Sequence, residues 1–162
     1  MSLAIELNFV MTRDEATALV SGAIEMLVAN EPTLLDLDVS ERALAHHLAS
    51  YIGAGIRRPL SVDCEYNRHS ADPKRLNLPR RNALDREVRA TTVFPDIIVH
   101  ERKTNDRNYL VLELKKPGES LDYDERKLRA FRRELGYLHT AHVILGRNGE
   151  GELVREVRWV DD

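Results

Sequence analysis

One cysteine, Cys64, and one tryptophan, Trp159, are all that 162 residues contain of these two types. A single cysteine excludes an intrachain disulfide framework and a zinc site built on several cysteines, and it fits a reducing compartment. No window approaches the ~18 consecutive apolar residues of a membrane-spanning helix. The N-terminus also lacks a charged stretch followed by an apolar run and a small-residue cleavage site. These absences predict a soluble, cytoplasmic protein with no membrane partner. Gly146, Gly149 and Gly151 lack the strand-to-helix setting of a phosphate loop, and no Gly-Lys-Ser/Thr occurs, so nucleoside triphosphate chemistry is not implied. The histidines do not make a zinc helix. His46 and His47 are adjacent and diverge by about 100° on a helix, and His139 and His142 also miss the i, i+4 spacing. They read as structural or surface residues.

What is present is enough apolar material, 43 % of the chain, for one core and one domain over 1–162. The net charge of −3 is unevenly spread. Residues 1–56 hold two basic against eight acidic residues, residues 57–89 nine against five, and residues 90–162 thirteen against fourteen. The middle segment is therefore a basic stripe in an acidic protein: Arg57, Arg58, Arg68, Lys74, Arg75, Arg80, Arg81, Arg86 and Arg89. Such a stripe can follow a phosphate backbone, and the plainer alternative is a solvated loop.

Hydrophobic periodicity gives the elements. Thr12-Arg13-Asp14-Glu15 is a capping box, and the apolar spacing after it predicts a helix over 13–29 that stops near Asn30 and Pro32. Leu3 to Val10 is a candidate short strand. Ser40 caps a helix over 41–53, in which Glu41 falls on the apolar stripe of Leu44 and Leu48. Leu60 to Asn67 alternates as a strand, with Val62, Cys64 and Tyr66 on one face and Asp63, Glu65 and Asn67 on the other. Cys64 then reads as a small core residue and Trp159 as packing. Residues 68–91 are irregular, with a weak helical hint near 82–90. Strands over 92–100 and 109–116 are joined by a polar turn as an antiparallel hairpin. A helix over 122–135 ends at Gly136, and strands follow over 141–145 and 153–160. The order is that of an α/β mixture in one domain.

Two apolar runs carry charges that do not belong in a core. Val93-Phe94-Pro95-Asp96-Ile97-Ile98-Val99 holds Asp96, and Tyr109-Leu110-Val111-Leu112-Glu113-Leu114-Lys115 holds Glu113, seventeen residues further on, and Lys115. Unpaired charges there would cost several kcal/mol. Glu113 and Lys115 leave the same face of their strand, and a turn symmetric about Asn105 brings Asp96 beside Glu113. Two neighbouring carboxylates repel unless a divalent cation neutralises them, and Mg²⁺ suits one or two carboxylates plus phosphate oxygens. Glu65, on the neighbouring strand, is a candidate third carboxylate.

Pro95-Asp96 with Glu113-Leu114-Lys115 resembles the PD-(D/E)xK nuclease signature, and the order of elements over about 40–146 is similar to the restriction-endonuclease-like αβββαβ core. The resemblance implies that Asp96 and Glu113 bind Mg²⁺ or Mn²⁺, that Lys115 assists hydrolysis and that Glu41 of the first core helix joins the metal set. Glu65 would complete or position the site. It implies a nuclease hydrolysing DNA phosphodiesters, in restriction, repair or defence, working as a homodimer or as a subunit of a larger assembly. The other reading is a catalytically inactive nuclease-fold module that binds nucleic acid or a protein partner. One branch of the family carries Gln-x-x-x-Tyr on the following helix, where this chain departs with Lys127 and Phe131; Lys127 reads as a solvated residue on a charged helix or a phosphate contact.

Overall fold

A computed structural model describes residues 10–66, 75–79 and 88–161. The strand expected from Leu3 lies outside these residues apart from Val10, as do Arg68, Lys74, Arg80, Arg81 and Arg86 and the side chains of Arg75 and Arg89.

The first helix, α1 (Arg13–Asn30), starts where the capping box places it. The Thr12 amide donates to Glu15 Oε2 at 2.7 Å, and the Glu15 amide donates to Thr12 Oγ1 at 3.2 Å. Pro32 does not simply end a helix. It opens a short one, α2 (Pro32–Asp36), because a proline in the first turn has no amide to waste. In α3 (Glu41–Ala54), Ser40 caps the Ala43 amide at 3.2 Å, and Leu44, Ala45, Leu48, Ala49 and Ile52 form the buried stripe.

Five strands form one open sheet in the order β1 (Ser61–Cys64), β4 (Ile97–His100), β5 (Asn108–Lys115), β6 (His139–Arg147), β7 (Leu153–Trp159). Among the described strands only β5 and β6 pair in parallel, and a helix, α4 (Asp122–Leu135), makes the crossover that a parallel pair needs. The β4–β5 pair is the expected antiparallel hairpin, with Ile97 opposite Leu112. Three extents differ from expectation. β1 stops at Cys64, because Glu65 adopts φ of 50° and leaves the strand. The 92–100 run splits, and its first residue ends β3 (Val88–Thr92), which pairs with β2 (Arg75–Pro79) as a separate two-stranded sheet inside the segment read as irregular. Short strands of mixed polarity carry little alternation to read, and this pair is recognisable by where Leu76 and Leu78 pack. β6 is longer than 141–145, and its polar first residues, His139 and Thr140, are buried.

The sheet has a core on each face. Leu110, Leu112 and Leu114 of β5 point with Ile97 and Val99 toward α1 and α3. Val111 and Ile98 point the other way, toward Leu128 and Phe131 of α4 and Leu76 and Leu78 of β2. Period two in β5 therefore puts Glu113 and Lys115 on the α4 face. Trp159 packs on the first core, where the Arg13 guanidinium lies 4.6 Å from its ring centroid. Cys64 is not a core residue. It sits exposed at the end of β1, its thiol directed at the Ala45 carbonyl oxygen at 3.6 Å. No helix among the described residues is long and apolar enough to cross a membrane.

Candidate active site

The hairpin register that sets Ile97 opposite Leu112 carries Asp96, one step before the strand, to the level of Glu113, one step further on. Asp96 Oδ2 accepts from the Leu114 amide at 2.7 Å, which ties the aspartate to the partner strand. Burial raises the Asp96 carboxyl above its ordinary value, opposed by the Leu114 amide, Lys127 and Glu113. Glu113 is 3 % exposed and is pushed well up by burial, with Lys127 opposing the shift and Asp96 reinforcing it.

Lys127 is neither solvated nor free. It is 8 % exposed, and its Nζ lies 2.8 Å from Glu113 Oε1, a buried ion pair. The same Nζ donates to the Phe94 carbonyl oxygen at 2.9 Å. Burial works against its charge, but Glu113, Asp96 and Asp124 outweigh burial and hold Lys127 above the usual lysine value. Lys115 pairs in turn with Asp124 of α4, Nζ to Oδ2 at 2.8 Å, and that partner keeps its ammonium protonated against the pull of burial. The stripe of α4 that packs on the sheet thus holds Asp124 and Lys127 beside Leu128 and Phe131. The helical spacing of 124, 127, 128 and 131 was the signal available in the sequence for both.

Glu41 stands at the first turn of α3, across a cleft of about 710 Å³ lined by Ser40, Arg42, Lys115, Lys116, Glu119 and Ser120 as well. Its carboxyl is raised to about 7, first by burial and then by the neighbouring Glu119 carboxyl, which is itself lowered by that contact. Lys115 opposes the shift, and Asp96 adds to it. Glu41, Asp96, Glu113 and Lys115 therefore form one electrostatic cluster. Glu41 Oε1 is buried and has no hydrogen-bond partner among the described residues, an acceptor that a cation would satisfy. The donor set is hard oxygen, which fits Mg²⁺ or Mn²⁺. Among the described residues, no three His, Cys, Asp or Glu side chains already close on a common point.

Glu65 does not join this cluster. Its backbone amide donates to Pro95 O at 2.9 Å, but its left-handed backbone turns the carboxylate toward Arg42, 2.9 Å away. Of the basic stripe, Arg57 and Arg58 are exposed and line a second groove of about 600 Å³, along β1 with His46 and Arg102. Neither makes an ion pair with a described residue.

His142 was not anticipated at the site. It is 1 % exposed, stands opposite Glu113 in the β5–β6 register, and neither ring nitrogen has a hydrogen-bond partner among the described residues. Burial lowers its basicity, against the attraction of Asp124 and Glu125. His46 and His47 remain at the surface of α3.

No family model, no curated protein and no solved structure matches this chain.

Proposed function

We propose that the chain is a Mg²⁺-dependent nuclease of the PD-(D/E)xK type with a restriction-endonuclease-like core, hydrolysing DNA phosphodiesters. The observation that carries the reading is the meeting of Asp96 and Glu113 at one level of the β4–β5 hairpin, with Lys115 on the same strand face and Glu41 across the cleft. Asp96, Glu113 and Glu41 would hold the cation, which when bound supplies charge neutralisation at a phosphate and a more acidic water. Lys115, kept charged by Asp124, contributes a fixed positive charge beside the phosphate and orients the attacking water. Asp124 and Lys127 act as positioning residues, the first for Lys115 and the second for Glu113. Arg57 and Arg58 offer exposed charge to the phosphate backbone on the α3–β1 side.

One observation favours the second reading, an inactive module that binds nucleic acid or a protein partner. Lys127 already sits 2.8 Å from Glu113 Oε1, so the buried carboxylate has a positive charge beside it without a cation. Metal titration separates the two. An active site predicts a rise in melting temperature at millimolar Mg²⁺ that Glu113→Gln removes, whereas an inactive module predicts none.

A further inference from the structure

Phe94 is 54 % exposed, although the residues on either side of it, Val93 and Pro95, are buried. The segment around it is held at two backbone carbonyls and one side chain. The Phe94 carbonyl oxygen accepts from Lys127 Nζ at 2.9 Å, the Pro95 carbonyl oxygen accepts from the Glu65 amide at 2.9 Å, and Asp96 Oδ2 accepts from the Leu114 amide at 2.7 Å. The ring is thus presented to solvent from a tethered stretch of chain. Its α-carbon is at most about 7 Å from that of Asp96, two residues on.

We infer that Phe94 is a stacking platform for an unpaired nucleobase next to the scissile phosphate, so that the preferred substrate is single-stranded DNA or a single-stranded branch. The inference rests on the nucleic-acid side of the function proposed above. A base needs one rigid ring to stack on and has a π-face whatever its sequence. A protein partner needs a contiguous apolar patch. The other large exposed apolar side chains among the described residues, Val10, Met26, Leu37 and Leu138, stand on α1, at the ends of α1 and α2, or before β6, not on the Phe94 segment. A base inside a duplex is already stacked on its neighbours and cannot offer its face to the ring, which makes the platform selective for unpaired bases.

The test is fluorescence titration of the full chain into a single-stranded oligodeoxynucleotide carrying one fluorescent purine, and into its duplex. Ca²⁺ replaces Mg²⁺, and strand integrity is checked on a gel. The wild type is expected to bind the single strand and perturb the purine signal. Phe94→Ala should bind it about 5- to 150-fold more weakly, the worth of one base–aromatic stack. Phe94→Trp should restore binding and Phe94→Leu should not, while duplex binding stays the same in all variants. Equal single-strand affinity for wild type and Phe94→Ala, full rescue by leucine, or no single-strand binding by the wild type overturns the inference. Cleavage measured separately in Mg²⁺ keeps the two ideas apart. Cleavage that depends on Glu113 but not on Phe94 sinks the platform alone. Binding that depends on Phe94 without any cleavage sinks the nuclease reading and upholds the platform.

Discussion

Lys127 meets Glu113 inside the protein at 2.8 Å, with side-chain exposures of 10 % and 4 %. One ammonium from α4 thus compensates the deepest carboxylate of the sheet and, through the Phe94 carbonyl oxygen, also ties down the strand entry that carries Asp96. Removing it strands a buried charge, so Lys127→Ala should lose about 3–5 kcal/mol of stability by urea denaturation. The apolar double variant Lys127→Met with Glu113→Leu should recover most of that loss. A single variant that loses less than about 1 kcal/mol would mean that the pair is effectively solvated.

Asp124 holds Lys115 as Lys127 holds Glu113. Asp124→Asn removes the partner that keeps the Lys115 ammonium protonated, so its pKa falls. Cleavage by this variant should drop about 10- to 100-fold in kcat with KM little changed, and the alkaline limb of its pH profile should move to lower pH. An unchanged profile would show that Asp124 serves only to pack α4.

Glu41 predicts a pH dependence of stability. Its folded carboxyl is raised to about 7, above its unfolded value, so the stability contributed by the protonated form is present in acid and lost as pH rises through about 7. In chelator, the wild type should lose denaturant resistance between pH 5 and 8 relative to Glu41→Gln. Parallel curves for the two proteins would contradict this.

Asp63 behaves in the opposite sense. Burial pushes its carboxyl up, but His100, 2.8 Å from Oδ2, and the Arg102 guanidinium outweigh burial and hold it well below the usual carboxylate range. Its contribution is therefore present above about pH 4 and lost as pH falls toward the folded value. Asp63→Asn should cost roughly 1–3 kcal/mol at pH 7, and the difference should close in acid. A penalty that stays constant down to pH 2 would rule out the charge as its source.

The sequence carried the hairpin because its signal is local: two apolar runs, a polar turn, and a midpoint that pairs Asp96 with Glu113. It carried α1, α3 and the Gly136 stop of α4, where φ is 69°, for the same reason. It missed what depends on tertiary packing. Lys127 looks solvated on a helix as charged as α4 until the sheet buries that face. Glu65 looks aligned with the site until its backbone turns left-handed and Arg42 takes its carboxylate. His142 shows no spacing rule, because it reaches Glu113, 29 positions earlier in the chain, only through the β5–β6 register.

The central claim is that Asp96, Glu113 and Lys115 form one metal-dependent hydrolytic site, and incubation of the full chain with mixed single- and double-stranded DNA tests it most directly. The account predicts phosphodiester cleavage in Mg²⁺ or Mn²⁺, no cleavage in chelator, and loss of at least about 100-fold in kcat on Glu113→Gln or Lys115→Ala. Cleavage that persists in chelator or survives Glu113→Gln, or a wild type that binds DNA and never cuts it, would contradict the account.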